Sequence, residues 1–182
     1  MIIGITGSFG AGKGEVVDYL VQQQGFKHYS ASGFITEELL RTHMTVNRDS
    51  MIRVGNELRA KFGPAYIVET LYAKAIEEGG KAVIESLRVV AEVKRIKELG
   101  GIVIGIDADP RVRYKRAFGR GSEKDHVTFE EWLVQEKQES NPSDPAKQHI
   151  FGALKESDYI IQNNGTKEDL HREIDAIFEK IG

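Results

Sequence analysis

The segment Gly7-Ser8-Phe9-Gly10-Ala11-Gly12-Lys13 constrains this chain more than any other part of it. It matches G-x-x-x-x-G-K. An apolar run, Ile2 to Thr6, precedes it, and a helical pattern from Lys13 to Gln24 follows, with Val16, Val17, Leu20 and Val21 on one face. A strand that gives way to glycines and then to a helix turns consecutive backbone N–H groups into one concavity, which binds an anion. The helix N-terminus adds partial positive charge, and Lys13 adds a mobile cation for the outer phosphates. Gly7 to Lys13, with Gly14 and Glu15 behind them, are therefore candidate ATP-binding residues. A bare glycine turn would explain the glycines but not the lysine.

The remaining pattern says what surrounds this loop. Short apolar runs at 2–6, 26–30, 81–85, 102–106 and 159–162 alternate with helical patterns at 32–43, 49–62, 65–78, 90–98 and 110–119. Thr128 and Glu131 have capping-box spacing at the head of another helix. Thr166 and Asp169 repeat it before a last helix with Leu170, Ile174, Ile177 and Ile181 at core spacing. Strands that are apolar throughout and alternate with helices predict an α/β fold, a parallel sheet covered on both faces. Ligands in such folds bind at the carboxyl ends of the strands.

At 182 residues the chain suits a single domain, 1–182. A net charge of -3 argues against a nucleic-acid or membrane-surface partner, which would call for a basic excess. The absence of Cys excludes disulfides and thiolate metal sites. No charged and apolar leader precedes the first strand, and no stretch approaches the ~20 apolar residues of a membrane span, so a cytoplasmic monomer or homodimer is expected.

Several polar residues fall at strand ends. The residue after the P-loop lysine usually carries a hydroxyl for Mg²⁺, and here it is Gly14. The metal must then be held by phosphate oxygens, waters and carboxylates. Glu85, at the end of the third strand, is one candidate. Glu15 is another, although it equally suits the first turn of a helix as a complement to the dipole. Arg88, three residues beyond Glu85, can grip a phosphate as a bidentate fork. Arg116 and Arg120 share a helical face and border the glycine-rich, charged run 119–125, which suits a hinged lid within 113–145, with Arg113 in reserve.

The acceptor side is read from helices 32–78. A hydroxyl acceptor benefits from a carboxylate base near the attacking oxygen. The segment Tyr29-Ser30-Ala31-Ser32-Gly33-Phe34-Ile35-Thr36 after the second strand offers no acid. A nucleoside monophosphate, with a second phosphate pKa of about 6, calls for cations instead. Arg41, Asn56 and Arg59 are the candidates, with Asn56 and Arg59 on one helical face, and Arg88 facing them from the sheet.

Over nearly its whole length the chain resembles P-loop nucleotide kinases of the adenylate kinase and dephospho-CoA kinase group. It is most similar to a dephospho-CoA-kinase-like family whose domains also occur fused to deoxycytidylate deaminases. The marks are Asn56 to Pro64, Val83-Ile84-Glu85-Ser86-Leu87-Arg88, Asp107-Ala108-Asp109 and Asp158 to Thr166. Adenylate kinases read Gly-Lys-Gly-Thr where this chain has Gly12-Lys13-Gly14-Glu15, and the Gly-Asp-x-x-Arg of relatives has become Ser32-Gly33-x-x-Thr36. The resemblance implies a three-layer fold with strand order 2-3-1-4-5. It also implies Arg116 against the adenine, Asn163 among the cofactor-binding residues, and Arg120 reaching the transferring phosphate. The expected activity is transfer from ATP, with Mg²⁺, to a (deoxy)nucleoside monophosphate. Dephospho-CoA kinase and a nucleotide-binding module with little catalysis are the alternatives. A signalling GTPase is excluded by Gly14 and by Asn163-Asn164-Gly165-Thr166-Lys167, which lacks the guanine-reading pattern, and a transporter or AAA-type motor would need more chain.

Overall fold

The computed structural model describes residues 1–119, 127–139 and 146–182. Five strands, β1 (Ile2–Gly7), β2 (Lys27–Ser30), β3 (Ala82–Leu87), β4 (Ile102–Asp107) and β5 (Tyr159–Gln162), form one parallel sheet in the order β2-β3-β1-β4-β5. The helices among the described residues are α1 (Lys13–Gln24), α2 (Ala31–Arg41), α3 (Arg48–Phe62), α4 (Tyr66–Glu77), α5 (Val90–Glu98), α6 (Pro110–Phe118), α7 (Phe129–Glu139), α8 (Ile150–Lys155) and α9 (Lys167–Ile181). This is the α/β P-loop kinase fold, with the parallel sheet that the sequence pattern predicts and the strand order that the resemblance implies.

Alternation along the strands builds two cores. Ile3 and Ile5 of β1 face the same side as Val83, Ile104, Ile106 and Ile161, where α1 and α9 cover them with Val16, Leu20, Leu170 and Ile174. Ile2, Ala82, Ile84 and Val103 face the other side, under α2, α3, α4, α5 and α8. Burial on both faces explains why the strands read as continuous apolar runs. Thr6, fully buried at the end of β1, donates from Oγ1 to the Leu87 carbonyl at 2.9 Å and so ties the P-loop strand to the end of β3.

Two features were not expected. β3 continues beyond Glu85 to Leu87, and the register between β1 and β3 slips there. Ile5 pairs with Glu85 and Thr6 with Leu87, so Ser86 is an extra residue. It is a β-bulge with Ser86 at φ 67°, a left-handed conformation that a serine adopts only under constraint. The second is α8. It has six residues and no side-chain cap, and it is held by burial of Ala153 and Leu154 and by a bond from His149 N to the Arg88 carbonyl at 2.8 Å.

Candidate active site

The P-loop leaves the carboxyl end of β1 and closes over the N-terminus of α1. Gly10 and Gly12 have φ of 77° and 98°. A Cβ on Gly10 would lie 2.4 Å from the Arg113 carbonyl oxygen, and one on Gly12 would lie 2.5 Å from Asn163 Nδ2. The loop is therefore pressed against the start of α6 on one side and the end of β5 on the other, and only glycine fits at both places. Asn163, buried after β5, donates from Nδ2 to the Ala11 carbonyl at 2.9 Å. Lys13 folds back over the loop and donates from Nζ to the carbonyls of Gly7 and Ser8, both at 2.9 Å. Burial, and then the Arg88 guanidinium, push the Lys13 ammonium down to about 8, with Glu85 and Asp107 acting in the opposite direction.

Arg88 and Glu85 at the end of β3, Asp107 at the end of β4 and Arg113 of α6 thus all act on the same cation. Glu85 accepts from the hydroxyls of Ser30 and Ser86, one on each side, and His28 Nε2 stands 3.7 Å away. The bulge at Ser86 brings that second hydroxyl to the carboxylate. Asp107 was singled out in the sequence only as part of a family mark. Its Oδ1 is buried without a hydrogen bond among the described residues, 3.4 Å from Arg113 Nε. Arg113 is itself buried. It donates from Nε to the Ala108 carbonyl at 2.9 Å, stacks over Trp132 with its guanidinium carbon 5.0 Å from the ring centre, and grips Glu136 of α7 with both terminal nitrogens.

A cavity of about 630 Å³ opens beside the P-loop. Ser8, Phe9, Ser30, Ser86 and Arg88 form its sheet end. Ser32, Thr36, Arg48, Met51 and Ile52 form the side made by α2 and α3, while Trp132, Gln135 and Glu136 of α7, Phe151 of α8 and Gln148 just before α8 close it. Of the expected acceptor residues only Arg88 lines it. Arg41 sits in the last turn of α2, largely exposed, in an ion pair with Glu38 at 2.7 Å. Asn56 is absent from the cavity wall, and its Oδ1 is buried without a partner among the described residues. Arg59 points into the core, fully buried, with Nε 2.8 Å from Glu92 Oε1. The cation that α3 does present to the cavity is Arg48, its first residue, which the sequence reading passed over.

Glu15 also departs from expectation. It pairs with Lys167 and with His171 Nε2 at 3.1 Å, so it fastens α1 to α9 instead of facing the loop. The Lys167 contact foremost holds its carboxyl below the ordinary value. Arg116 donates to the carbonyls of Asn163 at 2.7 Å and Gly165 at 3.4 Å, which lays it along the turn after β5. Arg120 and most of the lid run 119–125 lie outside the described residues.

A family model described as an AAA domain (AAA_18) matches residues 3–141. The chain belongs to this AAA-domain family. Proteins of similar sequence include a UPF0200 protein of Pyrococcus horikoshii, 29% identical over 100% of this chain and 97% of its own length. Another, from Thermococcus gammatolerans, is 24% identical over 100% of this chain and 95% of its own. Among solved structures, shikimate kinase from Bacteroides thetaiotaomicron superposes with a TM-score of 0.61 at 15% identity, each chain covered to 98%. TT1252 from Thermus thermophilus gives 0.62 at 21%, covering 100% of this chain and 98% of its own. At these identities the likeness speaks for the fold: this AAA-domain chain has the architecture of small P-loop kinases.

Proposed function

We propose that this chain transfers the γ-phosphate of ATP to a nucleoside monophosphate held in the cavity beside the P-loop. One observation carries the reading. Two guanidinium side chains, Arg48 and Arg88, line a cavity whose remaining lining is apolar or neutral apart from Glu136. A phosphate dianion between two arginines gains charge-assisted bonds worth about 1.5–3 kcal/mol each. Met51, Ile52, Trp132 and Phe151 offer apolar surface to a base, while Gln135 and Gln148 offer amides to its edge. A cavity of about 630 Å³ is of the size that encloses such a ligand.

In this reading the P-loop amides and Lys13 hold the β- and γ-phosphates, and Arg88 lies between donor and acceptor. Arg116, laid along the turn after β5, faces the ATP base. Phosphoryl transfer asks mainly for alignment and for charge stabilisation, which these groups supply without covalent chemistry. The donor set suits Mg²⁺. Glu85 and Asp107 are oxygen donors near the Lys13 ammonium, and Asp107 Oδ1 has no hydrogen bond among the described residues. Among those residues no three acidic or histidine side chains cluster, so the ion would take the rest of its ligands from phosphate and water, as Mg²⁺ usually does. When bound it would neutralise charge on the β- and γ-oxygens.

A hydroxyl acceptor is the second reading. Ser30 and Ser86, which line the sheet end of the cavity, both donate to the Glu85 carboxylate behind them, and solved structures of similar fold include kinases of shikimate and of a sugar. One screen separates the readings: ATP and Mg²⁺ against all ribo- and deoxynucleoside monophosphates, dephospho-CoA and shikimate. Faster transfer to a monophosphate is expected, abolished by Lys13→Ala. Arg88→Ala should raise the acceptor KM at least tenfold more than the KM for ATP. Faster turnover of dephospho-CoA or shikimate would overturn the reading and make Glu85 the base. ADP binding with no transfer to any of them would leave a nucleotide-binding module.

A further inference from the structure

Arg59 and Glu92 are the unusual pair in this fold. Both side chains are fully buried, in a layer otherwise filled by Ile35, Val54, Ile67 and Val93. Arg59 Nε donates to Glu92 Oε1 at 2.8 Å, while its two terminal nitrogens have no hydrogen-bond partner among the described residues. Burying two charges costs more in desolvation than a single pairing generally returns, and an apolar pair of similar volume often serves stability as well or better. The pair is therefore poorly explained by stability alone.

The second oxygen of Glu92 shows what the pair touches. Oε2 accepts from the Arg88 backbone N–H at 2.7 Å and from Val89 N at 3.3 Å. The Arg88 carbonyl in turn accepts from His149 N at 2.8 Å. The residue bearing the cavity's sheet-side guanidinium is thus gripped at both ends of its backbone. One grip comes from the start of α5, backed by Arg59 of α3, and the other from the head of α8. Both helices behind the grips, α3 and α8, also line the cavity, through Arg48, Met51 and Ile52 and through Ile150 and Phe151. Gly55 makes the arrangement possible, because a Cβ there would stand 3.1 Å from Arg59 Nη1 and 3.0 Å from an Ile35 methyl.

We propose that Arg59 and Glu92 are positioning residues for Arg88. Glu92 orients the peptide that aims the Arg88 guanidinium at the acceptor, and Arg59 fixes the Glu92 carboxylate so that one oxygen is always turned to that peptide. This rests on the reading of Arg88 as an acceptor ligand. It replaces the direct phosphate contact expected of Arg59 by an indirect one. An apolar or misdirected side chain at 92 would leave Arg88 present but swinging, which costs alignment and not nucleotide binding.

The test replaces the pair by an apolar one, Arg59→Met with Glu92→Leu, and compares it with wild type and with Glu92→Gln. Thermal unfolding and ADP calorimetry establish that the double variant is folded and that its P-loop works. Expected are a single cooperative unfolding transition, at a Tm lowered only by the two backbone N–H groups that lose Glu92, and an ADP Kd within about twofold. Against these, the KM for the best monophosphate should rise at least tenfold with the KM for ATP unchanged. The backbone amide of Arg88, shifted downfield in wild type by its charged acceptor, should move upfield and exchange faster. Glu92→Gln, which keeps an acceptor oxygen, should restore part of the KM. A folded double variant with wild-type kinetics, or with the Arg88 amide still shifted and protected, would overturn the proposal. If wild type transfers phosphate to no monophosphate, the functional reading falls. The positioning claim is then decided by amide exchange and by titration with inorganic phosphate, whose Kd at the Arg88 resonances should weaken at least fivefold in the double variant; an unchanged Kd would sink it.

Discussion

Asn163 Nδ2 lies 2.9 Å from the Ala11 carbonyl oxygen, and this bond fastens the end of β5 to the middle of the P-loop. Asn163 also stands where a Cβ on Gly12 would collide with it, so loop and asparagine fit as a pair. The family resemblance implies Asn163 among the nucleotide-binding residues, and in the structure its side chain braces the loop that would hold the phosphates. Asn163→Ala removes one buried bond and leaves a backbone acceptor unpaired, worth about 1–3 kcal/mol. The expected result is an ADP Kd about tenfold weaker, a Tm several degrees lower, and an unchanged acceptor KM. Calorimetry and steady-state kinetics on the one variant check all three.

Lys13 gives a pH dependence whose sign can be worked out. Its folded pKa of about 8 is below the ordinary lysine value of 10.5, because burial and then Arg88 disfavour the charged form. Between those two values the unfolded chain holds the proton and the folded chain does not, so this group adds stability as pH rises through that window. Lys13→Met removes the contribution. The stability advantage of Lys13→Met over wild type should therefore be largest below pH 8 and shrink towards pH 10.5. Bound phosphates favour the ammonium, so ADP binding near pH 8.5 should take up a fraction of a proton, seen as a binding enthalpy that varies with the ionisation heat of the buffer. Equal enthalpies in all buffers would show that Lys13 is already fully charged in the unliganded protein.

Ser86 stores strain that can be isolated by comparing two substitutions. Its φ of 67° costs an L-residue about 1–2 kcal/mol relative to glycine, and its hydroxyl donates to Glu85. Ser86→Ala keeps the strain and loses the bond, whereas Ser86→Gly loses both. Urea denaturation should find Ser86→Gly more stable than Ser86→Ala by about 1 kcal/mol, with both weaker than wild type in transfer rate because Glu85 has lost a fixing contact. Equal stabilities would mean that the bulge relaxes when the hydroxyl is removed.

The P-loop, the strands and the capped α9 were legible because their signals are contiguous: a glycine motif between strand and helix, apolar runs, and Thr166 with Asp169 at fixed spacing, whereas the strand order came only with the family resemblance. The acceptor wall was not. Asn56 and Arg59 do share a face of α3, but helical spacing cannot say whether that face meets a cavity or a core. The decisive neighbours of Arg59, Gly55 and Glu92, are four and thirty-three positions away. Arg48 was missed because it opens its helix, outside any periodic stripe. The Ser86 bulge is set by how β3 pairs with β1, a relation between distant segments that no local pattern carries. Glu15 suits a first helical turn as well as a metal, and only the position of α9 decides between them.

Glu85 carries the last prediction, because Gly14 offers no hydroxyl beside the phosphates. The carboxylate sits at the end of β3 between two serine hydroxyls, close enough to Lys13 to bias its protonation. Fixed in that place, it can hold a metal-bound water without first reorganising, and preorganised charge of this sort is worth several kcal/mol at a transferring phosphoryl group. Glu85→Gln keeps the shape and still accepts from Ser30 or Ser86, so the fold and ADP affinity in the absence of metal should stay near wild type. kcat should fall by roughly a hundredfold, and the Mg²⁺ concentration giving half-maximal rate should rise. Asp107→Asn provides the comparison on the other side of Lys13. A drop in kcat with Glu85→Gln alone assigns the metal-side charge to β3. A drop with both variants assigns it to the pair, whereas unchanged kcat and Mg²⁺ dependence in both would mean that the ion is held by phosphate and water without help from either strand end.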